Sequence, residues 1–157
     1  MRKIILASAS PRRKELLAKI IGDDFSVIKS SYEEDNGLDM KPVDLVLYHS
    51  LQKGKYVAED VGSGIIISAD TIVVLENEVL GKPINEEDAK LMLKKISDQW
   101  VDVITGIAVI DKDNSKTFQD HEITKVKMKD MTDDEIDGYI ASGEPMDKAG
   151  AFGAQEK

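Results

Sequence analysis

The pattern of apolar and polar positions predicts strands and helices that alternate along the chain. Apolar runs predict strands at 3–7, 25–28, 65–74 and 101–110, and a strand partly facing water at 117–128. After a turn at 76–78, residues 79–80 are expected to pair back on the third strand. Apolar residues at helical spacing predict helices over 11–21, 42–59 and 86–96, and a fourth beginning after Thr132. This alternation predicts an α/β fold, with a mixed-sheet α+β fold as the alternative.

Capping residues predict where three of these helices begin. Ser10 stands before Pro11, which suits an N-cap followed by the first helical residue. Asn85 has the same capping role at the third helix, and Thr132 with Glu135 forms a capping box at the fourth. Residues 111–115 predict a turn between the last two strands.

The strand at 65–74 carries one residue that needs an explanation, Asp70. Its Ile- and Val-rich neighbours predict a strand buried on both faces, where a carboxylate is costly unless it is paired or binds a metal ion. With Glu33 or Glu34 it would suit Mg²⁺ or Mn²⁺, which prefer oxygen ligands. The alternative is a buried aspartate satisfied by backbone N–H groups or by a lysine.

Residues 8–13 combine two hydroxyls and two guanidiniums at a predicted strand-to-helix junction. Ser8, Ser10, Arg12 and Arg13 would lie beside the unpaired N–H groups of the helix N-terminus, an arrangement that suits phosphate. No Walker motif occurs in the sequence. The alternative is a capped helix with solvated arginines.

Three lysines stand at distinctive places in the sequence. Lys53 lies in the second predicted helix, Lys82 lies between Gly81 and Pro83, and Lys148 follows an aspartate near the end of the chain. They could offset phosphate charge, and the alternative for each is a solvated surface side chain.

The amino-acid composition limits the classes of protein to which the chain could belong. The 157 residues suit one domain, or two small lobes sharing a sheet, and 41% apolar with 32% charged residues is typical of a globular chain. The net charge of -9 argues against broad binding to nucleic acid or anionic membranes. No cysteine occurs, so disulfides and thiolate chemistry are excluded. No apolar run predicts a signal peptide or membrane span, and we expect a cytoplasmic protein.

Taken together, five motifs resemble those of the Maf proteins, nucleoside triphosphate pyrophosphatases first named for septum formation. They are the segments 5–17, 68–73, 81–83, 103–106 and 144–153, in the order and at the spacing of that family. The resemblance covers essentially the whole chain, so it implies a single domain over 1–157. It also implies a central twisted mixed sheet flanked by helices, in two lobes with a cleft, as in the ITP pyrophosphatases.

The resemblance assigns roles to individual residues. Asp70 would be the general base and, with Glu34 in preference to Glu33, would hold the divalent metal ion, Mg²⁺ or Mn²⁺. The residues implied to bind substrate are Ser8, Ser10, Arg12, Arg13, Lys53, Thr71, Lys82, Asp147, Lys148 and Gln155. Arg12, Thr71 and Gln155 correspond to positions linked to base choice and resemble the dTTP/UTP branch, not the branch acting on 7-methyl-GTP.

The expected activity is hydrolysis of such nucleotides to the monophosphate and pyrophosphate, as house-cleaning of nucleotides. Departures from the family pattern include Asp98, Val101 and Glu156, and relatives continue beyond Lys157, so the chain is interpreted as shortened at its C-terminus. One alternative is a non-catalytic module that binds nucleotide or a division partner. Another is an enzyme of the ITP/XTP pyrophosphatase type, which lacks the Ser-x-Ser-Pro-Arg-Arg motif. The resemblance is also compatible with a homodimer, in which Trp100 would be a candidate contact.

Overall fold

The order of helices and strands agrees with the sequence prediction. The computed structural model describes residues 3–35 and 37–143, which contain four helices and six strands. The helices are Pro11–Ile21 (α1), Pro42–Asp60 (α2), Glu86–Ile96 (α3) and Asp133–Ala141 (α4). The strands are Ile4–Leu6 (β1), Ser26–Val27 (β2), Ile65–Leu75 (β3), Glu78–Leu80 (β4), Trp100–Asp111 (β5) and Lys116–Lys127 (β6).

The predicted helix caps are confirmed. The Ser10 side chain accepts a hydrogen bond from the backbone N–H of Arg13, and that of Asn85 accepts one from Asp88. Thr132 and Glu135 form the reciprocal capping box at α4. These caps satisfy N–H groups that a helix N-terminus leaves unpaired, so they fix where α1, α3 and α4 begin.

The strands form one mixed sheet, which confirms the predicted fold class. Their order is β2-β1-β3-β5-β6, and β4 also pairs with β3. Strand β1 is parallel to both β2 and β3, whereas β4 is antiparallel to β3. The register pairs Leu6 with Ile67, so the residues that follow β1 lie beside the middle of β3.

The chain divides into two compact units with different cores. The first unit comprises Met1–Asp70 and Thr105–Glu122, and its apolar cluster contains Ile5, Ala7, Val57 and Ile66. The second comprises Thr71–Ile104 and Ile123–Lys157. Its larger apolar cluster contains Val73, Leu75, Leu80, Ala89, Leu93, Ile96, Val101, Ile136 and Ile140. The single domain over 1–157 stays a prediction.

Within the first unit, two glycines let α2 approach the sheet closely. A Cβ atom at Gly54 would lie 2.7 Å from Ser68 Oγ, and one at Gly106 would lie 2.7 Å from the Val46 carbonyl oxygen. Neither position has room for a methyl group. The Ser68 hydroxyl donates a 2.6 Å hydrogen bond to the Ser50 carbonyl across the same contact. Helix α2 is therefore packed tightly against the face of β3 that carries Ser68 and Asp70.

The structure corrects the predicted burial of β3. Alternate residues at 66, 68, 70 and 72 are buried, but their neighbours from Ile65 to Thr71 are only half-buried. Burial on both faces begins only at Ile72. The prediction was wrong for the first half of the strand because Ile and Val content indicates a strand without showing what covers each face.

Two other elements bury less than their sequences suggest. No residue of α1 is fully buried, and its predicted apolar face leaves Ile20 78% exposed. Strand β6 ends the sheet order, and all of its residues except Val126 are exposed. None of the helices in the described part of the chain is long and apolar enough to cross a membrane.

Candidate active site

The first part of the site forms where β1 leads into α1. The Ala7 N–H donates to the Ile67 carbonyl at 2.8 Å, which extends the pairing of β1 with β3 by one residue. The Ser8 side chain is buried, and its Oγ accepts hydrogen bonds from Ser10 N at 3.1 Å and Arg13 Nη1 at 3.3 Å. The N-terminus of α1 thus follows the carboxyl end of β1 and lies beside the middle of β3. The carboxyl ends of strands in α/β proteins, next to a helix N-terminus, commonly bind ligands.

Arg13 links this junction to β3. Its Nη1 donates to the Ala69 carbonyl at 3.0 Å, directly before Asp70 in the chain. Burial lowers the pKa of the Arg13 guanidinium, while the negative charges of Asp70 and Glu34 oppose that shift. Arg13 is therefore not a solvated arginine. Arg12, on the same turn of α1, is half-buried.

Lys53 joins the two carboxylates at the centre of the site. Its Nζ donates to Asp70 Oδ1 at 3.0 Å and forms an ion pair with Glu34 Oε1. Only 2% of the Asp70 side chain, 13% of that of Lys53 and 24% of that of Glu34 is exposed. The alternative in which a lysine satisfies Asp70 is thus correct for Oδ1. The same alternative does not explain Oδ2, which is buried and has no hydrogen-bond partner within the described residues.

The surroundings of Asp70 raise the pKa of its carboxyl group, mainly through burial. Removal from water raises the pKa of its carboxyl group, the Lys53 ammonium lowers it, and the nearby Glu34 carboxylate raises it again. A carboxylate whose pKa is raised holds a proton more readily than an exposed aspartate. This property suits a group that must accept a proton near neutral pH.

Two carboxylates of the site could hold a divalent metal ion. Glu34 and Asp70 converge on one cation, the Lys53 ammonium, and Asp70 Oδ2 has an unused acceptor site. Among residues 3–35 and 37–143, no group of three or more His, Cys, Asp or Glu side chains could hold a metal. The two carboxylates and the unpartnered Asp70 Oδ2 are what could hold a hard ion such as Mg²⁺ or Mn²⁺, which can bind through one or two carboxylates and complete its coordination with water and phosphate oxygens.

The remaining predicted residues are distributed as follows. Glu33 is exposed, and Glu34 is the acidic residue of the loop that pairs with Lys53. Thr71 and Lys82 belong to the second unit, where Thr71 is half-buried in β3 and Lys82 is exposed after β4. Asp147, Lys148 and Gln155 lie outside the described residues. The roles of all these side chains stay predictions.

The sequence interpretation missed a hydrogen-bonded pair beside Lys53. Tyr32 Oη and His49 Nδ1 lie 2.8 Å apart, and His49 is fully buried in α2. The sequence held one signal for it, since His49 precedes Lys53 by four residues, a spacing that places both on one face of a helix. No sequence signal connects His49 to Tyr32, because that contact joins a loop to a helix 17 residues away.

The chain is similar to proteins of one known family. The family described as "Maf-like protein" matches residues 3–157. A protein of Methanococcoides burtonii named "dTTP/UTP pyrophosphatase" is 53% identical over all 157 residues, which cover 80% of that relative. A Bacillus cereus protein of the same name is 50% identical over the whole chain, which covers 81% of it.

A solved structure supports the fold. The HAM1 protein of Coxiella burnetii superimposes with a TM-score of 0.61 over 99% of this chain and 89% of its own, at 15% sequence identity. Identity this low bears on the architecture alone. It agrees with the expected fold of the ITP pyrophosphatase type.

Proposed function

Since the chain belongs to the Maf-like protein family, we propose that it hydrolyses dTTP and UTP to the monophosphate and pyrophosphate. The names of the relatives supply the substrate class. The observation that carries the chemistry is Asp70, a buried carboxylate with one oxygen on Lys53 and the other without a described partner.

In this proposal Asp70 acts as the general base. It accepts a proton from the water that attacks the α-phosphorus, and the bond from that phosphorus to the bridging oxygen breaks as pyrophosphate leaves. The raised pKa of Asp70 makes its carboxylate a stronger base than an exposed one. Lys53 opposes that shift and favours the ionised carboxylate, which is the form that accepts the proton.

Positive groups would stabilise the phosphates. Arg13 and Lys53 both donate to the Ala69 carbonyl, at 3.0 and 3.5 Å, so two cations flank the chain beside Asp70. We assign them, with Arg12 and the N-terminus of α1, to the charge that grows on the transferred phosphorus and the leaving pyrophosphate. Ser8 and Ser10 would orient this junction.

A divalent metal ion held by Asp70 and Glu34 would neutralise phosphate charge and acidify a bound water. We further assign Lys82 to the leaving pyrophosphate, and Thr71 to recognition of the base. Asp147, Lys148 and Gln155 keep the substrate-binding roles that the family resemblance implies.

A nucleotide panel tests the proposal. Pyrophosphate release is measured with dTTP, UTP, CTP, dGTP, 7-methyl-GTP, ITP and XTP, each with Mg²⁺, with Mn²⁺ and with EDTA. We expect kcat/KM for dTTP and UTP to exceed that for the other nucleotides by about tenfold or more. EDTA should abolish release.

Two other outcomes of the nucleotide panel would indicate a different function. Preference for ITP and XTP would favour a house-cleaning enzyme of that type. Binding of nucleotide without release from any member of the panel would contradict the proposal and favour a non-catalytic module.

A further inference from the structure

One face of α2 carries His49, Lys53 and Tyr56, at intervals of four and three residues. The Tyr32 ring contacts the two aromatic members of this row. Its centroid lies 5.6 Å from that of His49 and 5.2 Å from that of Tyr56, with an edge-on geometry to Tyr56. Tyr32 therefore touches α2 on both sides of Lys53 along the helix.

The hydrogen bond between Tyr32 and His49 fixes this contact. His49 is fully buried, so its ring is held by the packing of α2, and the 2.8 Å bond to Tyr32 Oη ties the loop to a rigid point. His49 Nε2 has no hydrogen-bond partner within the described part of the chain, which leaves Nδ1 as the polar atom through which this ring is anchored.

Glu34 follows Tyr32 by two residues and forms the ion pair with Lys53. The stretch from Ser30 to Asp35 is neither helix nor strand. A loop without ladder hydrogen bonds samples many conformations unless side chains hold it, and fixing each residue costs free energy. The contacts of Tyr32 with α2 supply such a hold directly before Glu34.

We propose that Tyr32 is a positioning residue, whose hydrogen bond with His49 holds the loop on α2 so that Glu34 meets Lys53 beside Asp70. The consequence for catalysis rests on the proposed function, since there Glu34 and Asp70 bind the metal ion. The effect on the loop itself does not depend on that function.

Tyr32→Phe tests the proposal, because it removes the hydroxyl and keeps the ring. Tyr48→Phe is the matched control, since the Tyr48 ring also contacts His49, with centroids 5.9 Å apart, and takes no part in the Tyr32–His49 hydrogen bond.

The first measurement is hydrogen exchange on the metal-free protein. We expect the amides of residues 31–35 to exchange about fivefold faster in Tyr32→Phe, the effect of losing one net hydrogen bond. Amides of α3 should keep their rates, and Tyr48→Phe should match the wild type.

Binding of Mn²⁺ alone, followed by the electron paramagnetic resonance of the free ion, gives the second measurement. We expect Tyr32→Phe to raise the dissociation constant about fivefold, and Tyr48→Phe to leave it unchanged. Faster exchange in α3 as well as in the loop would mean general destabilisation and would overturn the proposal. Unchanged loop exchange, or faster loop exchange with wild-type Mn²⁺ affinity, would also overturn it.

These results separate the two proposals. Faster exchange confined to the loop, in a wild-type protein that binds no Mn²⁺ and releases no pyrophosphate, would uphold the loop contact and refute the proposed function. An active, Mn²⁺-binding wild type matched in both measurements by Tyr32→Phe would do the reverse.

Discussion

The two units of the chain bury different kinds of side chain. In the second unit the core cluster around Leu93 and Ile136 is entirely apolar. In the first unit the apolar cluster is small. This unit contains all the buried polar residues of the described chain, which are Ser8, His49, Ser50, Ser68 and Asp70. Buried polar groups weaken a fold unless each finds a partner, so the second unit is built mainly for stability, whereas the first gives up stability where the proposed catalytic residues lie.

The polar groups of the first unit are satisfied mainly by each other. Ser68 donates to the Ser50 carbonyl, Tyr32 pairs with His49, and Lys53 bridges Glu34 and Asp70. Two atoms are exceptions, His49 Nε2 and Asp70 Oδ2, which have no partner among the described residues. A buried polar atom without a hydrogen-bond partner destabilises the fold, and such atoms are typical of catalytic groups.

The largest effect should come from Asp70→Asn. The substitution keeps the shape of the side chain and removes the proposed base, so we expect kcat for pyrophosphate release to fall about 10³-fold. The free energy of unfolding should not fall. Asp137→Asn, an exposed carboxylate that pairs with Lys90 at 3.1 Å in the second unit, is the control and should keep full activity. Wild-type release by Asp70→Asn would refute the proposed mechanism.

The second largest effect should appear in the apolar core. Leu93 is fully buried in the cluster of the second unit, so Leu93→Ala should lower the free energy of unfolding by about 3 kcal/mol. Urea denaturation measures this change. At a temperature where the variant stays folded, kcat should be within about threefold of wild type if this core serves stability alone. A large loss of kcat in a fully folded variant would remove the distinction between the units.

Sequence reasoning succeeded where structure is local. The caps at Ser10, Asn85 and Thr132 depend on residues within one helical turn, so their motifs were sufficient. The need of Asp70 for a partner followed from its apolar neighbours in the chain. The identity of that partner did not, because Lys53 lies 17 residues away and reaches Asp70 only through the packing of α2 on β3.

The same limit explains the errors. Burial was predicted for α1 from helical periodicity and for the first half of β3 from its Ile and Val content. Both signals show that a face is apolar but not that anything covers it. Gly54 is a further sequence signal of close packing. A glycine within an amphipathic helix costs stability, so its presence indicates a neighbour that leaves no room for a side chain.

A pair of Gly→Ala substitutions in helices should have opposite effects. At Gly54 the new Cβ would lie 2.7 Å from Ser68 Oγ and 3.0 Å from Ile110 Cδ1, so Gly54→Ala should destabilise by about 1–2 kcal/mol and reduce kcat by moving Lys53. At Gly138 in α4 nothing lies within 4 Å of the new Cβ, so Gly138→Ala should stabilise by about 0.5–1 kcal/mol at unchanged kcat. Thermal unfolding measures the stability of both variants, and the rate of pyrophosphate release measures their kcat. Stabilisation by Gly54→Ala would contradict the tight packing of α2.

The smallest effect concerns how the free energy of unfolding depends on pH. It measures how much the burial of the ionised Asp70 carboxylate destabilises the fold. Burial raises the pKa of its carboxyl group in the folded state above the unfolded value. The folded protein therefore binds the Asp70 proton more tightly, and this stabilising contribution is complete at low pH and lost as pH rises through the folded pKa.

Asparagine imitates the neutral form of Asp70 at every pH. Asp70→Asn should thus be more stable than wild type by about 1 kcal/mol at pH 8, and the advantage should shrink as the pH falls through the folded pKa of Asp70. Urea denaturation at a series of pH values measures the difference. For the exposed Asp137→Asn the same series should show no such gain at pH 8, because that carboxylate is not removed from water. An Asp70→Asn protein less stable than wild type at pH 8 would show that the Lys53 ion pair outweighs burial, and Asp70 would then be a stabilising group of the first unit.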